Sequence, residues 1–416
     1  MDEKFQRSDY LKITIFGFAL AALWSSLHSI VLPLRLLDIV SEAQKNTYLG
    51  FMTFTGLVLA MLVQPVAGAL SDRSRFRWGR RRPYVLLGGV VAVLLLPGIG
   101  WLESYAALFI VYCALQVSTN TAQGPYQAFI PDLVPADKRG LASGIKTLLE
   151  ILGGIILVRL IGYLMGQYTA GQETMLWPVL GVLAAVMLAA TVATLMTVRE
   201  RPAVGEVRPG VFYGFLRCFY LDGKVNRDFI VFLVSRLLIF MALATIQTYA
   251  LYYLRDVVGV LNPATATADL LIAAGAGMLI AVYPAGRLSD KIGRRPVVVF
   301  SGLLGAVGIL VIFLAAGYGQ IIAGGAVLGI ATGAFMSSNW ALATDLVARG
   351  EEARYLGLTN VATAGGAALA RLIGPAIDFF NAYGPGLGYQ VMLGACFTYF
   401  LVGSLLLVRV RRRQPC

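Results

Sequence analysis

Charge is scarce in this chain. Asp, Glu, Lys and Arg make up 13% of its 416 residues, about half the share of an ordinary soluble domain. There is one histidine, His28, and there are four cysteines. Cys113 and Cys396 lie in apolar runs, Cys218 lies in a basic segment and Cys416 is the last residue. That arrangement is not a disulfide framework, and none of the four has metal-ligand spacing with His28. Cys416 cannot be prenylated, because that motif needs three residues after the cysteine. No GxxxxGK[ST] phosphate loop occurs, so nothing points to nucleotide-driven work. No cofactor is expected. The first apolar run, from Leu11 past Leu32, is too long for a signal-peptide core and no small-residue cleavage site follows it. It reads as an uncleaved span.

Apolar residues are what the chain has in excess. Hydrophobic residues are 58%, and the 46 glycines take the fraction to about 69%, against about 45–50% for soluble domains. Mean hydropathy is +0.75. A water-soluble fold cannot hide that much apolar surface, which excludes a cytosolic enzyme. The hydrophobicity also excludes a disordered chain. Lipid must be the solvent.

Spanning helices need about 20 mostly apolar residues. Twelve candidates occur, at 11–34, 48–70, 84–101, 104–130, 140–167, 175–198, 228–254, 266–288, 296–316, 319–344, 355–380 and 386–408. The expected fold is therefore all-α, twelve transmembrane helices in two six-helix bundles, 1–198 and 228–416. The Pro- and charge-containing segment 199–227 is the linker between them. Of the 34 Lys and Arg, 27 fall in the two tails, the linker and the loops after even-numbered spans, and three in the alternate loops. This asymmetry puts both termini and the linker in the cytoplasm of an inner or plasma membrane. It also accounts for the net charge of +12 without nucleic acid as a partner.

The halves repeat each other. GGIILVRLIG at 153–162 matches GGAALARLIG at 365–374 in seven of ten positions. Asp132-Leu133-Val134 matches Asp345-Leu346-Val347, and Gly68–Arg73 matches Gly286–Lys291. The first half carries five extra residues in its basic loop. Six helices per half make the repeats parallel, with a binding site expected between them near the midplane.

GALSDR…GRRRP and GRLSDKIGRRP carry the sharpest signal. Gly68 and Gly286 are expected to let neighbouring helices approach closely. Asp72 and Asp290 sit at helix ends among arginines, where a carboxylate can pair with a guanidinium. With Arg80 and Asp132 in one half, and Arg294 and Asp345 in the other, they form candidate gating latches.

At these residues the chain resembles the major facilitator superfamily, over its whole length. SDRSRFRWGRRRPY is similar to the expanded loop of the sucrose–proton symporters and of the glycoside–pentoside–hexuronide cation symporters. TNTAQGPYQAFIPDLVP at 119–135 is similar to the fourth helix of the sucrose branch. Bacteriochlorophyll-related members share an expanded loop. The resemblance implies a secondary transporter working by alternating access, with helices 1, 4, 7 and 10 lining the site. A sugar or glycoside is the first substrate class. Two positions depart from the sucrose branch: Gln116 stands in place of an aspartate and Gln127 in place of an arginine. Export of an amphipathic or drug-like compound is the alternative within transport, and a non-transporting assembly or pigment-handling factor the alternative outside it.

Gln116, Asn120, Gln123 and Gln127 share one face of the fourth span. Amides in hydrocarbon must face protein or water; four in line suit a cavity wall for a hydroxyl-rich ligand, while interhelical glue is the plainer reading. Trp340 offers a stacking surface in the second half. Trp24 and His28 share a face of the first span, and Tyr252 lies on the seventh. Lys146 and Glu150 form an i, i+4 pair, with Glu150 about 15 Å into the membrane. Leu358 and Ala362 occupy the matching positions, so this unrepeated pair is the candidate coupling site, or else a self-neutralised structural pair. Arg159 and Arg371 recur in both halves and read as architectural or as an anion site; Asp378 follows Arg371 by seven residues. The expected partners are a small solute, protons or another coupling ion, and membrane lipids, around a monomer.

Overall fold

The computed structural model describes residues 6–198, 200, 227–346 and 352–408. Of the expected linker 199–227, all but Glu200 and Arg227 lie outside the described residues. Every regular element among the described residues is helical. The helices are α1 (Arg7–Ser26), α2 (Leu32–Ile39), α3 (Lys45–Arg73), α4 (Arg82–Trp101), α5 (Tyr105–Gln127), α6 (Phe129–Leu133), α7 (Arg139–Thr169) and α8 (Leu176–Thr197), then α9 (Arg227–Asp256), α10 (Pro263–Ile292), α11 (Arg294–Phe313), α12 (Tyr318–Leu346), α13 (Glu352–Leu369), α14 (Gly374–Asn381) and α15 (Leu387–Val408).

Ten of the described helical stretches are long and apolar enough to cross a membrane. Two of the twelve expected spans are not among them. The fourth, α5, is helical over its length but carries Gln116, Ser118, Thr119, Asn120, Thr121 and Gln123. The eleventh is broken: a 3₁₀ turn at Ala370–Ile373 separates α13 from α14, where Pro375 removes a backbone donor.

The chain forms two compact units, Met1–Val40 with Thr55–Phe212, and Ser41–Phe54 with Tyr213–Cys416. The first residues of α3 therefore cluster with the second unit. Polar contacts explain this. Asn46 Nδ2 and the Thr47 N–H donate to the two oxygens of Asp378, at 2.8 and 2.7 Å. Lys45 pairs with Asp256 at 2.6 Å, and Arg255 with Glu42 at 2.6 Å.

Within unit 1, α1 packs on α7 and α8, and α4 on α5 and α8; within unit 2, α12 packs on α10 and α11, and α9 on α13 and α15. The repeated Gly-Gly pairs serve these contacts. A Cβ on Gly153 would stand 2.4 Å from the Phe18 carbonyl oxygen, and one on Gly366 would stand 2.5 Å from that of Leu237. A Cβ on Gly68 or Gly286 would meet nothing within 4 Å, but Gly68 does lie at a close helix contact: a Cβ on Gly124 of α5 would stand 3.1 Å from the Gly68 backbone nitrogen. At that contact it is Gly124 that cannot carry a side chain, since a Cβ there would lie 2.3 Å from Gln64 O of α3. Leu94, Ile110, Met196, Ile280 and Phe300 point outward. Such a surface would aggregate in water and suits hydrocarbon.

Candidate functional site

Unit 1 holds a continuous polar chain. It begins where α1 gives way to a π-helical turn, Leu27–Val31, that carries His28. Pro33 has no N–H for the Ser29 carbonyl, and the Leu32 N–H instead reaches Leu27 O, five residues back. The Trp24 ring stacks on His28 with centroids 4.9 Å apart. His28 Nε2 lies 2.9 Å from the Tyr112 hydroxyl. Gln116 Nε2 donates to that hydroxyl at 2.8 Å, and Asn120 Nδ2 donates to Gln116 Oε1 at 3.1 Å. One donor direction satisfies the whole chain: Asn120 to Gln116 to Tyr112 to an accepting His28. Gln116 and Asn120 are 2% and 4% exposed. Gln123 is half-buried and Gln127 exposed, so the four-residue stripe is brought together only in its first two members.

Tyr112 joins this chain without having been singled out from the sequence. It is fully buried and seats its ring over Gly56, where a Cβ would fall 2.4 Å from Cε1. Its signal is faint: a tyrosine four residues before Gln116, on the same face.

Lys146 and Glu150 of α7 face each other at 3.6 Å. Lys146 Nζ lies 5.5 Å from the Tyr126 ring centroid, and the Tyr126 hydroxyl donates to Thr14 O at 3.1 Å. Gly17 makes room for both groups, since a Cβ there would be 2.4 Å from the Tyr126 hydroxyl and 2.9 Å from Glu150 Oε1. The two repeat-related arginines differ. Arg159 is exposed. Arg371 is 7% exposed, donates to Ala367 O, and its own carbonyl accepts from Tyr249 at 2.6 Å. The 3₁₀ turn after Leu369 shifts the helical phase, and Asp378 accepts from Asn46 and Thr47. Tyr252 is fully buried under Lys45, whose Nζ is 5.3 Å from its ring. Trp340 is 42% exposed.

The basic loop of unit 1 is a bridge. Arg81 donates to Asp72 at 2.9 Å and to Asp132 at 2.5 Å, and Arg80 donates to Asp132 at 2.7 Å. Burial pushes the Asp132 carboxyl up, but the hydrogen bonds from Arg81 and Arg80 outweigh it and hold the group below the ordinary aspartate value. The Arg81 N–H also donates to Glu200, at 2.9 Å. In unit 2, Arg294 pairs with Asp345 at 2.5 Å, while Asp290 is exposed and not in contact with that pair. Arg81 is the latch residue missed from the sequence. Its signal is visible on counting back from proline: Arg81-Arg82-Pro83 corresponds to Arg294-Arg295-Pro296. The contacts follow that register, since Arg82 donates to Leu195 O and Arg295 to Leu407 O.

A sequence model of the family described as MFS/sugar transport protein matches residues 14–401. The sucrose transport protein SUT1 of Oryza sativa subsp. japonica is 33% identical over 129 residues, which cover 26% of this chain and 24% of that protein. The match thus spans about a quarter of the length of this curated relative. Among solved structures, a bacterial homologue of the human lysosomal transporter Spinster superposes with TM-score 0.77 at 16% identity, covering 100% of both chains. A D-xylose-proton symporter does so with TM-score 0.74 at 16% identity, covering 97% of each.

Proposed function

Because the chain belongs to the MFS/sugar transport protein family, we propose that it is a secondary transporter of a small polar solute, with a sugar or glycoside first. It works by alternating access in the inner or plasma membrane, with both termini on the cytoplasmic side. The observation that carries the solute class is the buried chain from Asn120 through Gln116 and Tyr112 to His28. Amide, phenol and imidazole groups can each exchange a mutual bond for one to a hydroxyl, and Trp24 stacked beside them offers a flat face. The sucrose transport proteins and the xylose–proton symporter support the same class.

Lys146 and Glu150 are the proposed coupling site. Their separation of 3.6 Å is a loose ion pair that a conformational change can open. A carboxylate released from its lysine in a low-dielectric span favours taking a proton. Arg80, Arg81, Asp72 and Asp132 are the proposed gating latch of unit 1, with Arg294 and Asp345 that of unit 2.

The experiment is flux into liposomes holding the purified protein, with a panel of labelled monosaccharides, disaccharides and glycosides. Saturable counterflow of at least one of them is expected. Absence of flux across that panel and across organic anions and drug-like amphiphiles would overturn the transport reading in favour of a non-transporting membrane factor.

A further inference from the structure

One buried charge in unit 2 stands without a counter-charge. Arg236 lies in α9 and is 7% exposed. Its guanidinium is protonated at any biological pH. Nε donates to Thr363 Oγ1 of α13 at 2.8 Å, and a terminal nitrogen donates to Asn339 Oδ1 of α12. Two aromatic rings lie beside it: its guanidinium carbon is 5.1 Å from the Phe240 centroid and 5.6 Å from that of Trp340. No carboxylate among the described residues pairs with it. Three other buried cations do have one: Arg35 has Asp38, Lys45 has Asp256, and Arg81 has two aspartates.

The neighbouring amide is also incomplete. Asn339 is 0% exposed, its Oδ1 is taken by Arg236, and its Nδ2 has no partner. Donors on both groups thus lie together with a full positive charge and no negative one. Helix bridging alone does not require this. A neutral amide at position 236 could donate to a hydroxyl and a carbonyl oxygen, whereas burying an uncompensated charge is expensive. The complement of such a donor set is an anion's oxygens. The exposed Trp340 ring beside the guanidinium supplies an accessible flat face on which a ring can pack.

We propose that Arg236 and Asn339, with Trp340 beside them, form a subsite in unit 2 for the carboxylate or phosphate of an anionic sugar. This rests on the sugar-transporter reading above and narrows it from neutral to acidic solutes. Arg236 binds the charge, Asn339 adds the second donor and Trp340 stacks on the sugar ring.

The test uses the purified full-length protein in lipid nanodiscs, with affinity read from ligand-dependent thermal shifts. Glucose, glucuronate and glucose 6-phosphate are the probes. At least one of the two acids is expected to bind tenfold or more tightly than glucose. Arg236→Gln should bring that acid to the level of glucose, and Arg236→Lys should keep part of the preference. A purely structural role would lower thermal stability in both variants without moving the ratio. Asn339→Asp guards against a misfolded Gln variant: it supplies an internal counter-charge, so the protein should stay folded and lose its preference for acids. Equal binding of acid and neutral sugar overturns the proposal, as does an unchanged preference in Arg236→Gln or in a folded Asn339→Asp, or no binding of either acid. Flux of a neutral sugar without acid binding removes the subsite and leaves the transporter reading; no flux of any solute removes both.

Discussion

Arg81 holds two carboxylates from different parts of unit 1, Asp72 and Asp132, while Arg80 holds only Asp132. Arg81 is also the more buried, its side chain 6% exposed against 31% for Arg80. Removing a charged donor leaves its acceptors unsatisfied at about 1–3 kcal/mol. Arg81→Gln should therefore lower thermal stability by about 2 kcal/mol and Arg80→Gln by clearly less. Equal losses would mean that the bridge is not where the stability lies. Asp132 adds a pH dependence. Its folded value is lowered, so its contribution is complete above the unfolded value of about 3.9 and is lost as pH falls through the lowered folded value. Stability should show no change from this group between neutral pH and about pH 5. Acid titration should reveal a limb below that, which Asp132→Asn abolishes.

Among the elements, the π turn at Leu27–Val31 sets the position of His28. Such turns often mark functional sites in long helices. Pro33→Ala restores a backbone donor and lets α1 and α2 run on as one regular helix. His28 then turns away from Tyr112. The expected outcome is weaker solute binding with thermal stability unchanged or raised, measured by binding and melting on the same sample. Unchanged binding would detach the turn from the site. The break between α13 and α14 has a similar origin in Pro375.

For the molecule as a whole the question is what drives net movement. Glu150 lies beside Lys146 in unit 1, and the second repeat has Leu358 and Ala362 at the corresponding positions. Only one half of the protein thus carries this titratable pair. Glu150→Gln should abolish accumulation driven by an imposed pH gradient while leaving equilibrium exchange intact, measured in vesicles with labelled solute. Gradient-driven accumulation at the wild-type level in this variant would return Glu150 to a structural role. The asymmetry extends to the latches: among the described residues, three arginine–aspartate contacts join the loop of unit 1, against the Arg294–Asp345 pair in unit 2. The first loop is five residues longer than the second, and both Arg80 and Arg81 reach Asp132.

The amino-acid sequence by itself determined the solvent, the all-helical class and the internal repeat, because hydropathy and helix length are local properties that act segment by segment. It also placed the aspartates and arginines of the two loops in register. Which arginine does the bridging was decided by the tertiary structure, since a loop longer by five residues with three consecutive arginines leaves two registers open and only the positions of Asp72 and Asp132 choose between them. The same holds for Tyr112, an aromatic in an apolar run until His28 and Gln116 are brought to its hydroxyl. It holds for Gly124, whose missing side chain matters only once Gln64 approaches, and for Ser41–Phe54, which clusters with unit 2 through Asp256 and Asp378. Each of these rests on a contact between residues far apart in the chain, and periodicity carries no information about such partners.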